Sequence, residues 1–317
     1  MIVAPSPHLK SGESTQKIML DVIIALTPAL VASVILFGLR ALLIAAVCVS
    51  SCVVCEFVCR KVMKRENTIG DLSAVVTGML LAFNLPVTIN PLIAALGGVV
   101  AIVVVKQMFG GIGQNFVNPA LTARIVLMVS FPAAMSTWVE PFYYRSGQPI
   151  DAMTTATPLT QIGVNGGQNA LPDLLHMFTG IRAGCLGETC AVALLLGGIY
   201  LVARRVITPL IPLCYTGTVF VLSWLLGMDP VYAVLSGGLL LGAIFMATDY
   251  TTTPLTRSGK VIFALGCGII TVLIRRFGAL PEGVSFSIIL MNILVPHIER
   301  ITRPRPFGEG GKRREKA

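Results

Sequence analysis

Charged side chains are scarce in this 317-residue sequence, in which Asp, Glu, Lys and Arg together make up 12% of the residues. A soluble domain carries about twice that fraction. The hydrophobic share is 55%, the mean hydropathy is +0.82, and apolar runs as long as a bilayer-crossing helix recur along the chain. The shortage of charge therefore excludes an ordinary soluble protein and predicts one that crosses a membrane repeatedly.

The sequence also lacks the motifs of two common redox sites. It has no Cys-x-x-Cys-x-x-Cys spacing of the iron–sulfur kind, and no G-x-G-x-x-G follows a predicted strand. The chain is therefore expected to bind neither a ferredoxin-type cluster nor NAD by itself. The first apolar run is preceded by a polar 16-residue head and lacks a small-residue cleavage pattern, so no removable signal peptide is expected.

Eight cysteines are present. Four of them recur at helical spacing within one apolar run: Cys48, Cys52, Cys55 and Cys59. A continuous helix spreads these positions over about three turns, too far apart for one tetrahedral metal site, so no metal site is predicted. We interpret them as small residues at a helix–helix contact. Cys185 and Cys190 could pair if oxidised, and the sequence leaves their state open.

Ten apolar segments are candidate membrane spans, and several are short enough to predict interrupted helices. They cover residues 17–37, 41–59, 71–86, 90–108, 118–135, 189–204, 206–227, 231–248, 260–278 and 284–299. The basic cluster at residues 60–65 is expected in the cytoplasm. Counting spans from it places both termini inside and the loop 136–188 outside, with Arg275 and Arg276 as the one exception. The net charge of +9 is then explained by the orientation of the chain in the membrane and by contact with anionic lipid, and it does not indicate binding to nucleic acid.

A weak internal repeat suggests that the spans form two related halves. Residues 78–83 resemble 242–247, and residues 113–118 stand where 282–287 stand later in the chain. Chance similarity between apolar segments is the alternative. If the repeat holds, the fold is an all-α polytopic membrane protein of two inverted five-helix repeats. Its parts are a first membrane half (1–135), an external loop (136–188), a second half (189–299) and a basic cytoplasmic tail (300–317).

Inverted repeats with interrupted helices place their functional site near the midplane, here at segments 110–119 and 247–254. The first segment contains Asn115 and Asn118 beside helix-breaking glycines; its plain alternative is a loop in which Asn118 caps the next helix. The second segment directly follows a predicted span and contains a carboxylate and several hydroxyls. The alternative for this segment is a solvated loop.

Carboxylates within or beside the predicted spans are few, and each is a candidate for an ion pathway because a charge in a bilayer is costly. They are Asp21, Glu56, Glu188 and Asp249, with Glu56 and Asp249 preferred. Asp21 and Glu56 lie near the inner ends of their helices, where the alternative is contact with headgroup water.

The longest polar segment contains Asp151, Thr154, Thr155, Ala156 and Thr157, followed by a proline that biases Thr157 toward extended backbone. Composition alone allows a Thr-rich turn. The order of residues nevertheless resembles the flavin-attachment motif, an Asp, two free positions, Ser or Thr, a small residue, Ala and the acceptor Thr. Thr155 stands where that motif usually has Gly.

The chain as a whole, from about residue 10 to Phe307, resembles the family of the D subunits of the Rnf complexes, near relatives of the B subunits of the sodium-pumping NADH:quinone oxidoreductases. The motifs that carry the resemblance are the flavin motif, residues 113–120, Leu186-Gly187-Glu188-Thr189, Met246-Ala247-Thr248-Asp249, and residues 282–286 with Met291-Asn292. The B subunits usually have a longer N-terminal extension, so length favours the Rnf family.

The resemblance implies FMN joined through its phosphate to Thr157 by a dedicated flavin transferase, with Asp151 and Thr154 in the recognition motif. It also implies a second, non-covalent flavin (FMN or riboflavin), for which Asn115 and Asn118 are candidate contacts. The chain would act in a bacterial or archaeal cytoplasmic membrane as part of an Rnf-type complex that moves Na⁺ or H⁺ as ferredoxin and NAD⁺ exchange electrons, and alone it is expected to show no activity. The alternatives are a flavin-free transporter or channel and a structural scaffold.

Overall fold

The computed structural model describes residues 14–145, 157, 172–278 and 282–303. These residues form helices and connecting turns and contain no β-strand. The helices are α1 (Thr15–Phe37), α2 (Leu39–Val62), α3 (Ser73–Phe83), α4 (Pro91–Val99), α5 (Pro119–Ser130), α6 (Pro132–Met135), α7 (Leu174–Thr179), α8 (Ala191–Ala203), α9 (Leu210–Leu225), α10 (Pro230–Leu235), α11 (Leu239–Leu241), α12 (Arg257–Phe277) and α13 (Val284–Thr302). Helices α4 and α11 continue as π-helical turns, Val100–Gln107 and Gly242–Met246, and 3₁₀ turns cover Ile69–Asp71 and Tyr143–Arg145.

Four helices, α1, α2, α12 and α13, are long and apolar enough to cross a membrane. Shorter apolar helices form five further candidates: α3, α4 with its π-helical extension, α5, α8 and α9. The all-helical membrane class expected from composition is therefore confirmed. The count of ten spans stays a prediction.

The segment predicted as the eighth span is interrupted, because residues 236–238 separate α10 from α11. Gly237 and Gly238 in this break have φ values of 66° and 65°, a left-handed conformation that favours glycine. The guanidinium of Arg275 donates to carbonyl oxygens of Ala233, Ser236 and Gly237 around the break. It thereby binds acceptors that a helix end leaves without intrahelical partners.

Three helices begin with the same local chemistry, an N-cap Asn or Asp followed by Pro at the first helical position. The N-cap residues are Asn90, Asn118 and Asp229, and each side chain accepts a hydrogen bond from a first-turn N–H group. Pro loses nothing there because that N–H has no helical acceptor. The capping role expected as the alternative for Asn118 is therefore correct.

Helices α2 and α4 pack through small residues, as the cysteine spacing indicated. Cys48 and Cys52 direct their thiols at the carbonyl oxygens of Ala94 and Gly98, each at 3.9 Å. Ser51 donates to the Ala95 carbonyl at 2.8 Å. Small residues let helix backbones approach closely, so the packing agrees with a helix contact for these two cysteines.

Helix contacts follow a similar pattern in the two halves of the chain. Helix α2 packs against α3 and α4, and α9 packs against α10 and α12. The halves meet where α1 packs on α8 and α5 packs on α13. Segments 110–119 and 247–254 both lie at this junction, since Asn118 and Thr251 each contact a residue of the opposite half.

Substitution of Gly78 tests whether α3 packs closely on α2. A Cβ at this position would lie 2.7 Å from the Val49 Cα and 3.0 Å from the Cys48 carbonyl oxygen. We expect Gly78→Ala to lower the free energy of unfolding by about 1–3 kcal/mol through overpacking, seen as a lower thermal midpoint in detergent.

Gly217→Ala in α9 is the matched control, because nothing lies within 4 Å of its Cβ position and Ala favours a helix. Equal midpoints for the two variants would contradict the close packing at Gly78.

Candidate functional site

A cavity of about 380 Å³ opens between the two halves; we call it the Lys106 cavity. Its walls are mainly apolar and come from α1, α3, α8, the π-helical turn after α11 and residues 206–207. The polar groups at its boundary include Lys106, Asn115, Asn118, Asp249 and Thr251. A mainly apolar cavity of this size with a few polar groups is typical of a small-molecule site.

Glu56 lies in a buried network beside this cavity. It is 0% exposed, and its carboxylate accepts from Lys106 Nζ at 2.9 Å and Gln107 Nε2 at 3.0 Å. Lys106 also donates to Ser73 Oγ at 2.6 Å. Glu56 therefore does not reach headgroup water, the alternative left open by the sequence. Removing one member of such a pair strands the other charge in the interior.

Asp21 joins the two halves and does not line the cavity. Its carboxylate accepts from Tyr200 Oη at 2.9 Å and from Arg204 Nη2 at 3.4 Å. Tyr200 is in α8 and Arg204 follows its last residue, so these contacts hold α1 against α8. The packing of α1 on α8 therefore accounts for the presence of the Asp21 carboxylate.

Asn115, Asn118 and Asp249, predicted from two distant segments, meet at the Lys106 cavity. Thr251 Oγ1 lies 3.1 Å from an Asp249 carboxylate oxygen and 3.4 Å from Asn115 Oδ1. The Asn118 amide donates to the Met246 carbonyl at 3.4 Å. The cavity is thus bounded by carboxylate, hydroxyl and amide groups from both halves.

Thr157 lies in a second, much smaller cavity, which we call the Thr157 cavity. The side chain is 8% exposed, and the other residues that line the cavity are Arg182, Ala183, Glu188, Ser236, Gly237 and Glu282. Its volume of about 10 Å³ corresponds to roughly one water molecule. Asp151 and Thr154, the other motif residues predicted to matter, lie outside the described residues.

Glu188 contributes a buried carboxylate to the Thr157 cavity. Its Oε1 accepts from the Cys185 N–H at 3.1 Å, and a Cβ on Gly238 would lie 2.8 Å from its Oε2. Among the described residues, no lysine or arginine nitrogen lies within 4.0 Å of this carboxylate. Glu188 is therefore held by backbone contacts and not by an ion pair.

Arg182 faces the same cavity and directs its donors at the backbone. It donates to the Glu188 carbonyl at 2.8 Å and the Thr189 carbonyl at 3.3 Å, and it is 6% exposed. Burial lowers the pKa of this guanidinium, and the Glu188 carboxylate opposes that change. The positive charge is thus held in a poorly solvated position.

Arg124 is the group that sequence reasoning missed. It is 2% exposed and forms an ion pair with Glu282. It also donates to Asn84 Oδ1 at 2.8 Å and Ser285 Oγ at 3.1 Å. The available signal was a single arginine inside an apolar run, which is costly unless it is paired.

Buried polar contacts connect the two cavities through the middle of the protein. The Arg124 partner Asn84 lies 3.7 Å from the Met246 sulfur, and the Met246 carbonyl accepts from Asn118. With its amide oriented to satisfy both neighbours, Asn292 donates to the Thr252 carbonyl at 3.0 Å and accepts from the Asn118 N–H at 3.2 Å. These contacts cross the junction of the halves.

The two cavities lie toward opposite ends of α12. The turn 248–251 at the Lys106 cavity leads into the start of this helix, whereas Ser236 and Gly237 at the Thr157 cavity bind Arg275 near its end. Their walls nevertheless approach each other in the middle of the protein. The carbonyl of Phe83, three residues after Leu80 of the Lys106 cavity, accepts from the N–H of Gly187, which precedes Glu188 of the Thr157 cavity.

Cys185 and Cys190 are both free thiols. Cys185 Sγ lies 3.3 Å from the Asn84 carbonyl oxygen, and Cys190 Sγ points toward the Phe178 carbonyl at 4.0 Å. Burial raises the pKa of the Cys185 thiol well above its usual value.

Comparison with known proteins covers nearly the whole chain. It is 48% identical over 311 residues to a protein of Acetobacterium woodii named as the D subunit of a Na⁺-translocating ferredoxin:NAD⁺ oxidoreductase complex, covering 97% of this chain and 95% of that relative. It is 44% identical over 322 residues to a protein of Clostridium ljungdahlii named as the D subunit of a proton-translocating ferredoxin:NAD⁺ oxidoreductase complex, covering 96% of each.

A third relative, from Stutzerimonas stutzeri and named as the D subunit of an ion-translocating oxidoreductase complex, is 38% identical over 331 residues, covering 94% of each chain. The model of the NQR2, RnfD, RnfE family matches residues 2–308. These matches confirm the resemblance drawn from the sequence motifs. The chain therefore belongs to the NQR2, RnfD, RnfE family.

Proposed function

We propose that the chain is the membrane component of an ion-translocating ferredoxin:NAD⁺ oxidoreductase complex of the Rnf type. In this proposal it carries FMN covalently on Thr157, holds a second flavin in the Lys106 cavity and couples electron transfer to movement of Na⁺ or H⁺. The named relatives support the complex and its reaction. The other proteins of that complex, a flavin transferase and membrane lipid are its proposed partners.

The observation that carries the covalent flavin is the placement of Thr157. The acceptor position of the flavin motif lies in a cavity that Arg182 also lines, and a guanidinium is a suitable donor for a phosphate. The cavity of about 10 Å³ has no room for an isoalloxazine ring, so the ring would extend away from it. A flavin accepts one or two electrons and can thus join iron–sulfur carriers to other redox partners.

The Lys106 cavity is the proposed site of the second flavin. Its apolar walls suit a flat aromatic ring, while Asn115 and Asn118 offer amide groups for the polar edge. Lys106 lies at the same boundary, where its charge is paired with the Glu56 carboxylate. The protein would hold the ring between α1 and α3 and exclude bulk water from it.

The repeated helix contacts support an inverted repeat with one flavin site toward each membrane face. Basic residues 60–65 favour a cytoplasmic position for the end of α2. Both termini would then be cytoplasmic, and the loop 136–188 with Thr157 would face outside. Electrons passing between the two sites would traverse the junction of the halves, where Arg124 and the asparagines lie.

Ion coupling is assigned to the carboxylates nearest the Lys106 cavity. Asp249 lines this cavity with hydroxyl and amide oxygens around it, and Glu56 is paired with Lys106 at the boundary. Hard oxygen groups of this kind suit Na⁺ or a proton relay. Asp21, explained by its ion pair with Arg204, and Glu188, at the opposite cavity, are the weaker candidates.

The covalent flavin predicts a specific mass change. With the flavin transferase present, wild-type protein should gain the mass of FMN minus water on the peptide that contains Thr157. We expect Thr157→Ala to abolish the gain and Thr155→Ala to keep it, because only the acceptor hydroxyl is consumed. Intact-protein and peptide mass spectrometry provide the measurement.

The absence of an adduct on wild-type protein under flavin-replete conditions would rule out the covalent flavin. It would favour the flavin-free transporter or channel, which the cavity and the interrupted helices would equally suit.

The ion pathway predicts a loss of coupling without loss of assembly. In vesicles containing the whole complex, Asp249→Asn should lower ion movement per electron by at least about tenfold, because a charge-assisted contact is lost. Glu56→Gln should act in the same direction. Ion uptake and NAD⁺ reduction are measured together, and flavin content reports assembly.

Glu140→Gln is the control, since Glu140 is exposed and outside both cavities. If either neutralised variant keeps normal coupling, that residue is not in the pathway.

A further inference from the structure

The buried charges around the Thr157 cavity do not balance. Arg182, Glu188 and Glu282 line the cavity. Two more charged residues contact its lining, Arg124 through Glu282 and Arg275 through the carbonyls of Ser236 and Gly237. Arg124 and Glu282 neutralise each other in an ion pair. The remaining groups are two guanidinium ions and one carboxylate, so the described residues leave one positive charge in excess.

Among the described residues, neither of the two remaining arginines has a carboxylate partner. No carboxylate oxygen of the described residues lies within 4.0 Å of Arg182 or Arg275. Arg182 directs two of its nitrogens at the Glu188 and Thr189 carbonyls, and Arg275 binds the carbonyls at the break between α10 and α11. Carbonyl oxygens satisfy donors but do not cancel a charge, and an uncompensated charge in the interior is costly.

Two guanidinium groups also retain buried donors without acceptors. The Nε atoms of Arg124 and Arg275 are buried and have no hydrogen-bond partner among the described residues. Orphaned buried donors of this kind are uncommon in folded proteins. The two arginines that contact the lining of the Thr157 cavity thus each retain a donor that the described residues do not satisfy.

We infer that the arginine cluster behind Thr157 is an anion cradle in which Arg182 and Arg275 offset the single negative charge of the phosphodiester formed by flavin attachment. This inference rests on the proposed function and adds a role for flavin attachment beyond electron transfer. The modified chain has a neutral cluster, whereas the unmodified chain retains the buried excess charge. Flavin attachment is therefore also a stabilising step for the packing of the second half.

The chemistry of attachment supplies the charge that the cluster lacks. The Thr157 Oγ–H bond is replaced by an Oγ–P bond, and a P–O bond of a flavin phosphoanhydride breaks. The hydroxyl proton leaves to solvent, the leaving phosphate group keeps its electron pair, and no atom changes oxidation state. The product is a phosphodiester monoanion on a side chain that was neutral.

Thermal unfolding of the full chain, prepared with and without the flavin transferase, tests the inference. The measured quantity is the difference between the unfolding midpoints of the flavinylated and unmodified forms of the same variant. For the wild type we expect the flavinylated form to melt higher by about 4 °C or more, the size expected for a charge-assisted contact. Mass spectrometry of each sample gives the extent of modification.

Variants on the two sides of the charge balance should change this difference in opposite directions. Arg182→Gln removes the excess charge and should shrink the difference toward zero. Glu188→Gln removes the opposing carboxylate and should widen it. Arg276→Gln is the matched control, because Arg276 is adjacent to Arg275 in the chain and does not line the Thr157 cavity, and it should leave the difference unchanged.

The outcomes separate this inference from the function on which it rests. A wild type that is flavinylated but no more stable than its unmodified form would overturn the cradle and leave the covalent flavin intact. The inference would also be overturned if Arg182→Gln and Glu188→Gln both showed the same difference between midpoints as the wild type, since stabilisation would then come from the flavin ring. If wild-type protein acquires no flavin at all, the proposed function itself fails. Because each difference compares two forms of one variant, a general loss of stability cancels.

Discussion

The ion pair between Arg124 and Glu282 is the interaction on which the rest of the architecture depends. It joins α5 of the first half to the segment that starts α13 of the second. The same guanidinium binds Asn84 at the end of α3, where Leu186 and Gly187 donate backbone hydrogen bonds to the carbonyls of Leu85 and Phe83. One buried charge thus fixes four separate segments at the junction of the halves.

The helices that end at this junction determine the size and polarity of the two cavities. Helices that end within the protein leave backbone and side-chain polar groups without helical partners. At membrane depth such groups are stable only where protein or a polar cavity satisfies their hydrogen bonds. On one side they bound a roomy, mainly apolar cavity with a few amides and carboxylates. On the other they bound a tight cavity at Thr157, lined by one arginine and two glutamates. The two cavities therefore differ in both size and charge.

Local sequence signals predicted much of the fold but few of its long-range contacts. Asn118 followed by Pro119 predicted a helix start. Segments 110–119 and 247–254 were predicted to form one site, and Asn115 and Asp249 from these segments line the same cavity. The pairing of Glu56 with Lys106 was not predictable, since the lysine lies 50 positions later in the chain. Arg275 was likewise an isolated cation near the outer end of a span, and only the fold places it beside Arg182 and Glu188. Arg124 gave a signal, but its partners lie up to 161 positions away, and Asp151 and Thr154 remain predictions of the motif alone.

The most direct test of the two assigned sites is a high-resolution experimental structure of the flavinylated chain within its complex. We predict density continuing from Thr157 Oγ into a phosphate within hydrogen-bond distance of the Arg182 or Arg275 side of the cavity, and a second ring between α1 and α3 beside Lys106. A phosphate that turns away from both arginines into solvent, with the Lys106 cavity filled by lipid or closed, would contradict both assignments.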